Sequence, residues 1–119
     1  MQIPRIINKN RFYYTEEKEF PIEHETRLTR TEAKRYVRKI CRHFKQDPIA
    51  LKFHGKRNRT NSGSSDQEAR IISVSHKPSV LVVAHELAHI FTESGHTKRG
   101  LAMLEKIIVY SRKKNYWRG

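Results

Sequence analysis

The chain has 119 residues, a length that fits one small domain with its own hydrophobic core. Its 25 lysines and arginines outnumber 12 aspartates and glutamates, and the formal net charge of +13 is typical of proteins that attract phosphate. The single cysteine, Cys41, excludes a disulfide framework, and no apolar run reaches the length of a membrane span. Met1–Arg5 shows no signal-peptide pattern, so we expect a cytoplasmic protein without membrane contact.

The charge excess lies mainly in residues 27–60, which hold twelve basic and two acidic side chains. Residues 1–27 show no clear period, and we expect an N-terminal arm or extra strands there, with the domain proper over residues 28–119. A solvated basic face serves solubility without any ligand. If the basic region instead binds DNA or RNA, its phosphate contacts are expected from Arg35, Arg38, Lys39, Arg42, Lys56, Arg57 and Arg59.

A helix is predicted from residue 29 to about residue 46. Thr29-Arg30-Thr31-Glu32 has the pattern of a capping box, in which a hydroxyl and a carboxylate bind the first free amides of a helix. Apolar side chains then recur at three- and four-residue spacing and form one stripe, which consists of Ala33, Tyr36, Val37, Ile40, Cys41 and Phe44. Asp47-Pro48 is expected to end the helix.

Two strands are predicted on either side of a polar loop. Residues 49–56 alternate between apolar and polar side chains, and residues 69–75 form a second strand-like run. Residues 57–68 are rich in Asn, Ser and Gly and are expected to be a loop. We expect the two strands to pair across it as an antiparallel hairpin.

Two further helices complete the predicted α+β domain. Residues 79–92 are apolar nearly all round, which predicts a central helix that starts at Pro78 and stops at Gly95. A last helix from about Thr97 to Lys113 is expected to bury Leu101, Leu104, Ile107 and Ile108. The predicted architecture is a single small domain with an N-terminal helix, a short antiparallel sheet, the central helix and a C-terminal helix.

The central helix carries the sequence His85-Glu86-Leu87-Ala88-His89. Histidines at i and i+4 project from one helix face, so both imidazoles reach a single zinc ion. Glu86 is rotated by about 100° from His85, which directs it to the open side of the metal. There it is expected to act as a general base toward zinc-bound water.

Three residues are candidates for the third zinc ligand. His96 follows His89 by seven residues, beyond the predicted helix end, so the chain can fold back toward the ion. Glu93 and Glu105 are the alternatives. His76 is expected in an exposed loop, although it lies near enough to the helix to line a cleft. The other histidines show no ligand spacing and are expected on the surface: His24, His43 and His54.

The motif resembles that of small zincins, closest to the SprT-like and WLM-type zinc metallopeptidases and to small metallohydrolases of some phages and bacteria. Their pattern is HELxH, a short spacer, and a third histidine followed by a small residue, an aromatic residue and a leucine. His85–His89 match the first part, and His96–Arg99 with Leu104 match the second. Gly100 stands where the family has the aromatic residue, which departs from its packing.

The resemblance covers about residues 49–113 and implies a zincin-like fold. It implies Zn²⁺ held by His85, His89 and His96, with Glu86 as general base and a protein or peptide as substrate. In many zincins an edge strand beside the active helix holds the substrate, and residues 69–75 would be that strand. A phage-encoded protein of this kind would act in the host cytoplasm.

Three functions follow from these features. The leading one is a zinc-dependent metallopeptidase or related hydrolase that uses water activated by Glu86. The second is a basic protein associated with nucleic acid, in which zinc only braces the fold. The two are compatible, since SprT-like and WLM-type proteins act on proteins attached to DNA. The third is a degenerate zincin that serves as a binding module.

Overall fold

Local sequence signals account for most of the elements in the computed structural model, which describes residues 19–54, 63–93 and 97–114. Within these residues the helices are α1 (Pro21–Glu25), α2 (Arg30–His43), α3 (Val80–Thr92) and α4 (Lys98–Lys114). The strands are β1 (Ala50–Phe53), β2 (Gly63–Asp66) and β3 (Ile71–Val74). The predicted α+β class is therefore confirmed.

The part of the first segment that the structure describes is helical. Pro21 lies in the first turn of α1, where its missing N–H leaves no hydrogen bond unmade. Phe20 and Glu23 are buried, so α1 packs onto the domain core. The arm or extra strands expected within residues 1–27 are thus replaced by a short helix at residues 21–25, and residues 1–18 lie outside the described part of the chain.

The predicted capping box starts α2. The Thr29 hydroxyl accepts from the Glu32 amide at 3.1 Å, and the Glu32 carboxylate accepts from the Thr29 amide at 2.8 Å. The helix ends at His43, three residues before the predicted end. The helix ends in a Schellman motif, with Lys45 in the left-handed region. The Lys45 amide donates to the Arg42 carbonyl, and the Gln46 amide donates to the Cys41 carbonyl.

The sheet is mixed, with the strand order β1-β3-β2, and the expected antiparallel hairpin is wrong. β1 pairs with β3 in parallel, and β2 pairs with β3 antiparallel. β2 forms from residues that were predicted to be a loop. The prediction failed because Gly63–Asp66 is polar and lacks the alternation that marks a half-buried strand. A turn at residues 67–70, in which the Asp66 carboxylate accepts from the Ala69 amide at 3.0 Å, then brings β2 back against β3.

The helix α3 lies at the centre of the domain, as predicted, and contacts β2, β3, α1, α2 and α4. It begins at Val80 rather than Pro78, since the Ser79 hydroxyl caps it by accepting from the Val82 amide at 3.1 Å. Glu93 ends it in the left-handed conformation, ahead of the predicted stop at Gly95, which lies outside the described residues.

The core confirms the predicted apolar faces. The α2 stripe is buried, apart from Phe44, which is half-buried against the core. On α4 the residues Leu104, Ile107 and Ile108 are buried and Leu101 is half-buried. No helix in the described ranges has the length and apolar character needed to cross a membrane.

Candidate metal centre

The three motif residues that the structure describes lie on the most buried helix of the domain. His85 is 2 % exposed and Glu86 is 4 % exposed, while His89 is half-buried. The rest of α3 is almost wholly apolar and lies against the sheet and three helices. Imidazole and carboxylate groups in such surroundings are costly to desolvate unless a partner binds them.

The two imidazoles meet edge to face. Their Nε2 atoms are 2.9 Å apart, and the ring centroids lie 4.5 Å apart with planes inclined at 77°. Two nitrogens at tetrahedral positions around zinc, each about 2.0–2.1 Å from the ion, are separated by about 3.3 Å. The two nitrogens therefore lie about 0.4 Å closer together than two ligands of one zinc ion would.

Glu86 differs from the other buried glutamate of the described residues. Glu23 is 0 % exposed, and the Arg112 guanidinium donates two hydrogen bonds of 2.7 Å to its two carboxylate oxygens. No hydrogen bond or ion pair joins the Glu86 carboxylate to another described side chain. A buried carboxylate beside two converging imidazoles fits a cationic ligand, because such a ligand offsets the desolvation of all three groups.

The third ligand is not settled by the described residues. His96 lies outside them, in the connection between α3 and α4, and stays a prediction. Glu93 and Glu105 are both exposed. Neither joins His85 and His89 in a group of three metal-ligating side chains, and the described residues contain no such group.

The start of α3 is held by the chain segment before α2, which sequence reasoning missed. The Leu28 amide donates to the Pro78 carbonyl and the Val80 amide donates to the Thr26 carbonyl, both at 2.9 Å. Ser79 caps the helix directly before the apolar run, so its identity was a readable signal. The hydrogen bonds between residues 26–28 and 78–80 join segments that are fifty or more residues apart in the sequence, so no local pattern predicts them.

None of the remaining described histidines joins His85 and His89 in a metal-ligating group. His76 is exposed, as expected, and its Nδ1 accepts from Arg30 Nε at 3.1 Å. His43 is exposed and stacks on Tyr110 with a centroid distance of 3.4 Å. His24 and His54 are half-buried rather than fully on the surface.

The strand expected to bind substrate is not at a sheet edge. Residues 71–74 form β3, which is the central strand and is paired on both sides. β2 is the edge strand that contacts α3, and β1 forms the opposite edge of the described sheet. The sheet edge beside α3 is therefore β2, a strand that was not predicted because its sequence is polar.

The residues predicted to contact nucleic acid divide into three groups. Arg38 and Arg42 are exposed on α2, one turn apart. Arg35 and Lys39 are half-buried on the same helix. Lys56, Arg57 and Arg59 lie outside the described residues, so the predicted patch is seen only in its helical part.

Comparison of the chain with protein-family models, curated proteins and solved structures gave no match. Function is therefore inferred from the side chains of α3 and their surroundings.

Proposed function

We propose that this protein is a zinc-dependent hydrolase of the zincin type, acting on peptide bonds with Glu86 as its general base. The observation that carries the proposal is the buried group on α3. His85 and His89 bring their Nε2 atoms to 2.9 Å from each other, and the adjacent buried Glu86 lacks a partner among the described side chains. The other buried glutamate of the described residues, Glu23, is paired with Arg112. Glu86 therefore differs from it in having no partner among the described side chains.

Each residue has a defined role in this proposal. His85 and His89 present neutral Nε2 atoms to the ion, and His96 is the proposed third ligand. Bound zinc supplies an acidified water and polarises the carbonyl of the scissile bond. Glu86 accepts a proton from the attacking water and returns it to the leaving amine.

The substrate is proposed to lie along β2 in extended form. β2 is the sheet edge that contacts α3, and its outer side faces away from its described partner β3. An edge strand presents unpaired N–H and C=O groups that bind an extended peptide whatever its side chains. The backbone of the substrate is then held, and the bond to be cleaved is selected by its approach to the zinc site.

The test is the substitution Glu86→Gln, which keeps the size of the side chain and removes its basicity. We expect the variant to bind zinc and to unfold at the same denaturant concentration as the parent chain. Its hydrolysis of a denatured protein such as casein should fall by at least about 100-fold, the range of general-base catalysis. The control is Glu68→Gln, an exposed change in the turn after β2, which should leave the rate unchanged.

Two results would contradict the proposal. One is full hydrolytic activity in the Glu86→Gln variant. The other is a parent chain that holds zinc but cleaves neither casein nor a mixture of unstructured peptides, which would favour a binding module built on the same motif.

A further inference from the structure

A second concave surface lies between α2 and the start of the sheet. It is an open groove of about 420 Å³, within the size range of ligand-binding clefts. We call it the α2–β1 groove. Its lining residues are Lys34, Val37, Arg38, Cys41, Arg42, Gln46, Pro48, Ile49 and Leu51.

The rim of the α2–β1 groove is cationic. Lys34, Arg38 and Arg42 follow one another at four-residue spacing, so they form a row along one face of α2 with a charge about every 6 Å. All three are exposed, and the groove's lining residues within the described part of the chain include no acidic side chain. The nearest acidic residue in the sequence, Asp47, lies between two lining residues but is not one of them. The rim is therefore suited to a ligand with several negative charges.

The floor of the groove is apolar. Val37 and Cys41 come from α2, and Pro48, Ile49 and Leu51 come from the strand side. Burial raises the pKa of the Cys41 thiol to about 11, so the thiol is uncharged at neutral pH and adds to the apolar surface. The ligand must therefore carry apolar groups as well as charge.

The dimensions favour an extended chain. The lining on α2 runs from Lys34 to Arg42, about 12 Å along the helix axis. That length accommodates about four residues of extended polypeptide. Successive side chains of such a segment point to opposite sides, so acidic residues can face the rim while apolar residues face the floor.

The groove is separate from the candidate metal centre. No residue of α3 lines it, and β1 is the sheet edge opposite β2. A ligand in the groove leaves the described edge beside α3 uncovered, and binding there does not depend on the proposed hydrolase activity.

We propose that the α2–β1 groove binds an extended segment of a partner protein in which acidic and apolar residues alternate. Single-stranded nucleic acid is the competing polyanion, but its binding grooves combine cations with aromatic rings on which bases stack. No aromatic ring is among the described residues that line this groove. Its apolar floor complements aliphatic side chains instead.

The probe is a short fluorescein-labelled peptide in which glutamate alternates with valine, titrated with the full chain and followed by anisotropy. A second peptide replaces each valine with serine, which retains the charge and removes the apolar contacts. An oligothymidylate of equal charge tests the nucleic-acid alternative. We expect the valine peptide to bind about tenfold or more tightly than the serine peptide and the oligonucleotide.

The matched protein variants carry the same change of net charge. The double substitution Arg38→Glu with Arg42→Glu should weaken binding of the valine peptide at least about tenfold, because two favourable charge pairs become repulsive. Lys106→Glu with Lys113→Glu places the same change on exposed positions of α4 and should weaken it by no more than about twofold. The inference is overturned if both pairs of substitutions weaken binding equally, if the serine peptide binds as well as the valine peptide, or if the oligonucleotide binds most tightly.

Discussion

At the scale of single residues, two glutamates of the described part of the chain are buried, and only one of them has an ion-pair partner there. Glu23 is held by Arg112, whose side chain is 44 % exposed and carries the charge of the pair out to solvent. The hydrogen bonds that Arg112 donates to Glu23 also raise the pKa of the guanidinium. Glu86 has no such partner among the described residues, and its proposed catalytic role is based on this contrast.

The pairing of Glu23 predicts a large effect of Arg112→Ala. Removal of the guanidinium leaves a fully buried carboxylate without a counter-ion, which should lower the free energy of unfolding by about 3 kcal/mol. The measurement is urea denaturation of the full chain at neutral pH. Lys113→Ala, at the exposed neighbouring position, is the control and should change stability by less than about 0.5 kcal/mol. Equal effects of the two substitutions would show that the ion pair does not stabilise the fold.

Two buried residues predict a loss of stability in alkaline solution. Burial raises the pKa of the Cys41 thiol to about 11, and burial also raises the pKa of the Tyr36 phenol, which hydrogen-bonds to Ser111 at 2.7 Å. In the unfolded chain both groups lose their protons at lower pH, about 8.5 for Cys and about 10 for Tyr. The contribution of these two protonated groups to the free energy of unfolding is therefore complete below about pH 8.5 and falls as the pH rises through about 11.

The alkaline effect is measured by urea denaturation at about pH 8 and at about pH 10.5. The parent chain should lose more stability between the two than a variant that combines Cys41→Ala with Tyr36→Phe. An alkaline loss as large in that variant as in the parent chain would remove these two groups from the explanation.

At the scale of elements, the position of α3 depends on its first turn. Ser79 is buried, caps the helix and also bridges to Arg27, so one residue joins α3 to the segment before α2. Ser79→Ala removes the cap but keeps the backbone bridge, and it should lower the free energy of unfolding by about 1 kcal/mol.

The control for the cap is Ser75→Ala, a half-buried serine between β3 and α3 that is not at the helix terminus. Its effect should stay below about 0.5 kcal/mol by the same denaturation measurement. If Ser79→Ala were as mild as this control, the hydroxyl would not be needed to start α3.

The helices were predictable because their signals are local. The capping box at Thr29–Glu32 and the apolar stripe of α2 lie within one stretch of chain, and so does the HExxH motif on α3. β2 was not predictable, since four polar residues become a strand only through pairing with β3. The parallel pairing of β1 and β3 follows from β2, so one hidden strand changed the topology of the whole sheet.

The same distinction applies to the candidate site. The spacing of His85, Glu86 and His89 fixes their relation on any helix, and the structure adds their burial and the 2.9 Å approach of the imidazoles. The pair of Glu23 and Arg112, 89 residues apart, has no sequence signature. The edge strand beside α3 was misassigned for the same reason, because neighbours across a sheet are set by tertiary packing.

At the scale of the whole molecule, a part of the +13 charge and the motif lie on different elements. Three cations of α2 line the α2–β1 groove, while the two histidines and Glu86 lie on α3. We propose that these three cations serve partner binding, and the proposed chemistry depends on a few nearly buried groups. Zinc held only by the folded chain should also stabilise it, by about 2.7 kcal/mol at a free concentration 100 times the Kd.

The most direct test is the zinc content of the purified full chain after metal removal, incubation with zinc and exhaustive dialysis. The account predicts about one zinc ion per chain, bound at the histidine pair. His89→Ala should lose most of it, whereas His43→Ala, on the far exposed end of α2, should retain it. A parent chain that retains no zinc, or a His89→Ala variant that retains as much as the parent, would contradict the proposed zinc centre.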